Sequence, residues 1–263
     1  MQPLSTLPAA TRRAIRGVLA DVDDTITTHG QLTPDAYAAL ARLRAAGLLM
    51  IPITGRPAGW CDHIARMWPV DAVVGENGAF YMRYDAPRRK LVKRFLADEG
   101  ERAANRARIN AIGVKILRAV PGAALASDQH YRESDLAIDF CEDVPPLPRA
   151  DVDRIVAMME AEGMTAKISS IHVNGWFGRY DKLAMTRTLL AEVFAIDLDA
   201  TRERFVFVGD SPNDAPMFAF FPNAVGVANI REFLDRIATK PAYVTTAEAG
   251  AGFAELADFL LAK

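Results

Sequence analysis

Three acidic residues, Asp21, Asp23 and Asp24, follow the apolar run Val18-Leu19-Ala20 with only Val22 between them. The run reads as a buried strand. Side chains alternate along a strand, so Asp21 and Asp23 are expected on one side of its carboxyl end. Two carboxylates held there repel each other, and a divalent cation is the simplest compensation. Mg2+ suits the site because it is hard, takes oxygen ligands and is usually held by one or two carboxylates together with substrate phosphate. Taken alone, the same residues also fit a turn of solvated aspartates.

Three further groups lie at the ends of elements. Leu48 to Ile53 is a second apolar run, closed by Thr54-Gly55-Arg56. Lys182 follows Asp181, a helix N-cap by type. Phe205 to Val208 is a third buried run, closed by Gly209-Asp210-Ser211-Pro212-Asn213-Asp214. By itself Lys182 is a surface lysine in a first helical turn, where the helix dipole disfavours a cation. Thr54 by itself is a turn threonine, and Asn213 a helix cap.

The elements that must position these groups alternate. Thr33-Pro34 starts a helix that Gly47 stops, and a strand follows. A further helix leads to Ala72-Val73-Val74, closed by Gly75-Glu76-Asn77-Gly78. Strand-helix alternation predicts a parallel sheet with right-handed crossovers. Ligands of such sheets sit beyond the carboxyl ends of the strands, where all these groups fall. From about residue 84 to 179 the pattern changes to α+β. Ala79–Met82 and Leu91–Leu96 read as an antiparallel pair, and Glu99–Val120 as a long helix whose basic residues form a solvated face. Asp135–Cys141 alternates, which predicts a strand with one face exposed, and Met164–Val173 reads as another strand. The expected division is therefore 1–83 and 180–263 for an α/β core and 84–179 for an inserted α+β unit. Residues 1 to about 12 read as a loose extension.

Composition excludes several classes. The 263 residues carry a net charge of -2, so no basic field points to nucleic acid. No apolar run approaches the ~20 residues of a membrane helix. Cys61 and Cys141 have neither metal-ligand spacing nor a disulfide framework, and a cytoplasmic setting is expected. Oligomeric state has no signature here.

In this order, the groups Asp21-x-Asp23-x-Thr25, Thr54-Gly55-Arg56, Lys182 and Gly209-Asp210-x-x-Asn213-Asp214 resemble the haloacid dehalogenase-like (HAD) superfamily. The insertion and the Gly-Glu-Asn-Gly-Ala run at 75–79 resemble its IIB subfamily, which includes Cof-type, sucrose-phosphate and mannosyl-3-phosphoglycerate phosphatases. The resemblance covers nearly the whole chain. It implies a Rossmann-like core with a parallel sheet and helices on both faces, under a mobile cap. It also implies a Mg2+-dependent phosphatase acting on a small phosphorylated metabolite, such as a sugar or polyol phosphate.

The roles it implies agree with the chemistry of the residues. Asp21 would be the nucleophile, already ionised at neutral pH and able to form an aspartyl-phosphate. Asp23 would protonate the leaving alcohol and then activate water. Thr54 and the Gly55 amide would bind the phosphoryl oxygens. Lys182 would bridge Asp21 and the phosphate. Metal ligands would be Asp21, the Asp23 carbonyl, Asp210 and Asp214, the last either directly or through water. Asn213 would hold Lys182 or the phosphate, while Arg56, Asn77, His172 and Asn174 are candidates for the rest of the substrate. His172, Asn174 and Trp176 equally fit packed structural roles. Position 24 is Asp where the family often has Gly, and its side chain is expected to face away from the metal. A phosphomutase with the same chemistry and a non-catalytic phosphometabolite-binding module are the alternatives. A receiver domain is too short for this chain.

Overall fold

In the computed structural model, which describes residues 1–262, the apolar runs become the strands of a parallel sheet. The first third contains β1 (Gln2–Pro3), α1 (Ala9–Ala14), β2 (Gly17–Ala20), α2 (Pro34–Ala45), β3 (Leu49–Pro52), α3 (Ala58–Met67) and β4 (Val73–Gly75). The middle holds β5 (Phe80–Asp85), β6 (Lys90–Phe95), α4 (Glu99–Ala119), β7 (Ala124–Leu125), β8 (Asp135–Asp139), α5 (Arg149–Ala161), β9 (Thr165–Ile168) and β10 (His172–Trp176). The last third adds α6 (Lys182–Phe194), α7 (Leu198–Thr201), β11 (Phe205–Gly209), α8 (Ala215–Phe220), β12 (Val225–Gly226), β13 (Tyr243–Val244) and α9 (Ala249–Leu261).

The core sheet has the order β1-β13-β12-β11-β2-β3, and every pair in it is parallel. Its side chains alternate between two apolar layers. Val18, Ala20, Met50, Val206 and Val208 pack with α2, α3 and α9. Leu19, Ile51, Phe205 and Phe207 point the other way and pack with α6 and α8. Strands covered on both faces need no polar residues between their apolar ones, hence the unbroken runs in the sequence. Helix ends also follow local chemistry. The side chains of Thr33, Asp98 and Asp181 each accept a backbone N–H of the first turn of α2, α4 and α6.

Two expectations need correction. The N-terminal residues are not a loose extension: Gln2 and Pro3 pair in parallel with Tyr243 and Val244, and Leu4 and Leu7 are buried. Their two-residue strand is too short to show any period. The Met164–Val173 stretch is two strands, not one, because Ser169-Ser170 turns the chain between β9 and β10.

The inserted region forms a second sheet, β7-β8-β10-β9, antiparallel throughout. Leu136, Ile138 and Val173 on one face pack with Ile109, Ile112 and Ile116 of α4 and Val152, Ile155 and Met159 of α5. Asp135, Asp139, His172 and Asn174 lie on the other face, and they too are buried. The face expected to be exposed on β8 is thus buried, with Asp135 paired to Arg132 and Asp139 taking the N–H groups of Cys141, Glu142 and Asp143. The β5–β6 hairpin pairs with β4, which reaches the core sheet through a parallel bridge from Val74 to Ile53. We therefore propose that the inserted unit proper starts near Asp98, the N-cap of α4, with the hairpin as a wing of the core. Among the described residues no helix is long and apolar enough to cross a membrane.

Candidate active site

Asp21, Thr54 and Asp210 stand at the carboxyl ends of the adjacent strands β2, β3 and β11, so the sheet itself brings them together. Lys182 arrives on the first turn of α6, and its ammonium lies 2.8 Å from Asp21 Oδ1 and 2.7 Å from Asp214 Oδ1. All three residues are buried. The two carboxylates outweigh the helix dipole that argued against a cation at this position.

Two glycines make this approach possible. Gly78 has φ +108, and a Cβ there would lie 2.1 Å from the Asp181 carbonyl oxygen. The Gly75–Gly78 turn can therefore seat against the start of α6 only without a side chain. At Gly209, a Cβ would lie 2.3 Å from Asp214 Oδ2, the atom that accepts the Asp210 and Ser211 N–H groups. Gly78→Ala combines left-handed strain with a backbone clash, and is expected to cost at least about 2 kcal/mol. Urea unfolding checks this, and a cost below about 0.5 kcal/mol would mean that the turn is not wedged against α6.

One oxygen from each of Asp21, Asp210 and Asp214 lies within 4.8 Å of the others. Against these three carboxyl groups stands a single ammonium, Lys182, so with all three ionised two negative charges have no counterpart in the protein. Burial raises the Asp21 carboxyl, Lys182 pulls it back, and Asp214 and Asp23 raise it further, to about 8. Burial, with Asp21 and Asp214 adding to it, also holds Asp210 well above the usual carboxylate range. Asp210 Oδ1 accepts the Thr25 hydroxyl at 3.2 Å, while its buried Oδ2 has no partner in the protein. A hard divalent cation fits this donor set: it would match the uncompensated charge and take the orphaned oxygen. Asp21 and Asp210 could hold it directly. Both oxygens of Asp214 are already engaged, by Lys182 and by the loop N–H groups, which leaves it the role of orienting the lysine or bound water.

Asp23 is not in this acidic cluster. Its Oδ1 accepts Arg56 Nε at 2.8 Å, so its carboxylate is engaged outside the group of three, and its carbonyl is the atom that the resemblance assigns to a metal. Asp24 has φ +52, which explains a frequent Gly at this position, and Asp is among the few other residues that tolerate it. The Asp24 carboxylate takes the His29 N–H and lies outside the acidic cluster. Thr54 Oγ1 accepts the Arg56 N–H at 2.9 Å, which leaves its own hydroxyl hydrogen free to donate. Asn213 does not hydrogen-bond Lys182: its amide donates to Asn77 Oδ1 at 3.3 Å, and its oxygen accepts Ser211 Oγ.

The cap residues are largely engaged with one another and with the core. Arg56 is 3% exposed and is wrapped by cap acids as well as by Asp23. Its Nη2 donates to Glu142 at 2.6 Å and its Nη1 to Asp128 at 3.3 Å, with the Trp60 ring 4.3 Å from the guanidinium. Its fork is thus occupied, and a second anionic group of a substrate would have to displace Glu142. His172 Nε2 lies 2.8 Å from Glu142 Oε2, off the hydrogen-bonding line. Asn174 Nδ2 donates to Asp135 Oδ2 at 3.0 Å. His172 and Asn174 share a face as expected, and that face carries acids instead of an open sugar site.

Sequence reasoning missed the clasp between cap and core. Buried Arg132 pairs with Asp128 and Asp135 and donates to the Gly55 carbonyl at 2.8 Å. Glu76, on the core, accepts the N–H groups of Ala58, Glu133 and Ser134. Spacings of three and four between Arg132 and its acids were visible, but nothing marked them as buried. Burial pushes Glu142 up, yet its contacts with His172 and Arg56 outweigh that and hold it at about 2, below its ordinary value of 4.5. The sign follows: this stabilisation is complete above about pH 4.5 and is lost as pH falls through about 2. Glu142→Gln is therefore expected to lower stability by a constant amount from pH 8 to about pH 5, with the difference from wild type closing toward pH 2. Unfolding midpoints across that range measure it; a difference that grows in acid contradicts it.

No protein-family model matches this sequence, and no curated protein matches it either. Solved structures do match in fold. A Thermoplasma acidophilum protein has a TM-score of 0.68 at 18% identity, over 94% of this chain and 98% of its own. A protein described as a HAD/Cof-like hydrolase from Plasmodium vivax has a TM-score of 0.66 at 17% identity, over 94% and 95%. The C-terminal domain of trehalose-6-phosphate phosphatase from C. albicans has a TM-score of 0.68 at 12% identity, over 95% and 94%. These likenesses extend over core and inserted unit together.

Proposed function

We propose that this chain, which has the haloacid dehalogenase-like fold with an inserted α+β cap, is a Mg2+-dependent phosphatase of small phosphorylated metabolites. The observation that carries this reading is the buried group of Asp21, Lys182, Asp210 and Asp214, assembled from three separate stretches of chain at one end of the sheet. A purely structural cluster would have little reason to keep Asp210 Oδ2 buried and unpartnered.

Mg2+, held by Asp21 and Asp210, would screen the like charges of nucleophile and phosphate. Asp21 accepts the phosphoryl group: its carboxylate oxygen bonds to phosphorus as the ester oxygen leaves. Lys182 holds Asp21 in place and supplies positive charge where the phosphoryl oxygens gather. The free Thr54 hydroxyl hydrogen binds one of those oxygens. Asp23 gives its proton to the departing alcohol and later takes one from the water that attacks the aspartyl-phosphate. Arg56 fixes the direction of the Asp23 carboxylate. Such catalysis is mostly positioning plus electrostatics, which suits a site of preset charges.

Sugar and polyol phosphates are the proposed substrate class, on the resemblance given by the motifs. Two cysteines without a disulfide fit a reducing, cytoplasmic setting. The test is phosphate release across several dozen phosphomonoesters with Mg2+ and again with excess EDTA. Turnover that needs Mg2+ supports the reading. Absence of turnover throughout would leave the phosphometabolite-binding module as the better account, and isomerised product in excess of free phosphate would favour a phosphomutase.

A further inference from the structure

Two cavities border the proposed phosphoryl site, and their electrostatics differ. The one beside Asp23, about 310 Å3, is lined by the acids Asp23, Asp24 and Glu142, and its cation Arg56 already serves three carboxylates. The other, about 400 Å3, opens beside Lys182 and Asn213, between the core and strand β9 of the cap. Its volume falls in the ~300–1,000 Å3 range of small-molecule sites.

The second cavity is rich in hydrogen-bond donors. Lys167 and Arg179 line it, and neither makes an ion pair or a side-chain hydrogen bond among the described residues. Asn77 and Trp176 also line it, both nearly fully buried, and Asn77 Nδ2 and Trp176 Nε1 have no partner. Its one acid is Asp181, whose carboxylate is occupied with capping α6. The sheet places Lys167 deliberately with respect to the site. It pairs directly with Asn174 across β9 and β10, so it stands on the face of the cap that looks toward the core. Arg179 lies on the segment that returns from cap to core. The unmatched groups are all donors, and two of them are full positive charges. A neutral polyol would leave those charges without a counterpart, while an anion would satisfy them.

We infer that the substrate carries a second anionic group, a carboxylate or a second phosphate, which binds at Lys167 and Arg179 while its phosphoryl group lies on Asp21 and Lys182. This inference rests on the phosphatase reading and narrows it. Arg56 does not supply this site, because its guanidinium already serves three carboxylates.

The experiment compares kcat/KM for matched pairs of esters that differ in the second charge: 3-phosphoglycerate with glycerol 3-phosphate, and fructose 1,6-bisphosphate with fructose 6-phosphate. Wild type is expected to favour the doubly anionic member of at least one pair by ten-fold or more. In the Lys167→Ala/Arg179→Ala double variant that ratio is expected to fall toward one, through KM more than kcat. Both side chains are exposed, so the variant should fold. A ratio near one in wild type, or a ratio unchanged in the variant, would overturn the inference while leaving the phosphatase reading intact. If no ester is turned over, the phosphatase reading fails on its own. The subsite is then read by calorimetry with 3-phosphoglycerate and Mg2+: binding weakened five-fold or more in the variant supports it, and no binding or equal binding overturns it.

Discussion

Asp21→Asn is expected to lower phosphate release by at least about 10^4-fold, the scale on which enzymes lose activity with their nucleophile, without lowering the melting temperature in EDTA. The two halves of this result have separate causes. Asparagine keeps the shape of the side chain but offers no carboxylate oxygen to phosphorus, so the covalent step is lost. Stability moves the other way, because Asp21 is one of three buried carboxylates that share one ammonium. Burial and its acidic neighbours already push Asp21 to about 8, which means that its charge is opposed by the folded state when no cation is bound. A neutral residue relieves that opposition, and Lys182 keeps Asp214 as its partner. Steady-state phosphate release and a thermal melt in EDTA measure both. Loss of activity accompanied by a large drop in melting temperature would instead mark Asp21 as a structural anchor.

Lys182→Ala is expected to damage both properties. Its ammonium is buried, 2.8 Å from Asp21 and 2.7 Å from Asp214, and its removal leaves those carboxylates without their cation. Breaking a buried pair from one side costs about 3–5 kcal/mol, far more than the net worth of the intact pair. Activity should fall by about 10^3-fold, the scale seen when a single preset charge is taken from a phosphoryl-transfer site. The stability loss has a pH signature. Lys182 pulls down the Asp21 carboxyl, which stands at about 8 with the lysine present and would rise further without it, so the penalty is largest in alkaline solution and shrinks as pH falls below about 8 and Asp21 takes up its proton. Urea unfolding of wild type and variant at pH 9 and pH 6 separates this from a loss of packing, which would be equal at both.

The two stretches of core were legible because each strand is covered on both faces and reads as an unbroken apolar run, with the reactive residue directly at its end. Asp21, Thr54 and Asp210 each follow such a run, and Lys182 follows a good N-cap. The strand at Gln2–Pro3 was not legible, since two residues have no period and its partner lies some 240 positions away. The cap was legible as elements but not as a surface. Leu136 and Ile138 show which side of β8 meets α4 and α5, yet nothing in the alternation shows that the acids on the opposite side are buried too, Asp135 against Arg132 and Asn174, and Asp139 by the N–H groups of Cys141, Glu142 and Asp143. The same holds for Glu142, Asp128 and Arg132, which lie in irregular segments and meet Arg56 and Gly55 across more than 70 residues of chain. Periodicity reports neighbours along an element. Ion pairs between elements depend on tertiary contacts that it does not encode. Asp214 illustrates the limit within a known motif: its position was evident, but its pairing with Lys182 follows only from the meeting of α6 with the loop after β11.

The most direct measurement is chemical trapping of residue 21. The Mg2+-loaded protein is mixed with p-nitrophenyl phosphate, quenched in acid during turnover, and reduced with borohydride, which converts an acyl phosphate to an alcohol. Mass spectrometry of the peptide spanning Gly17 to Thr25 is then expected to show homoserine at position 21 and aspartate at 23 and 24. Turnover with an unmodified Asp21, or with the label on another residue, would contradict phosphoryl transfer to this carboxylate.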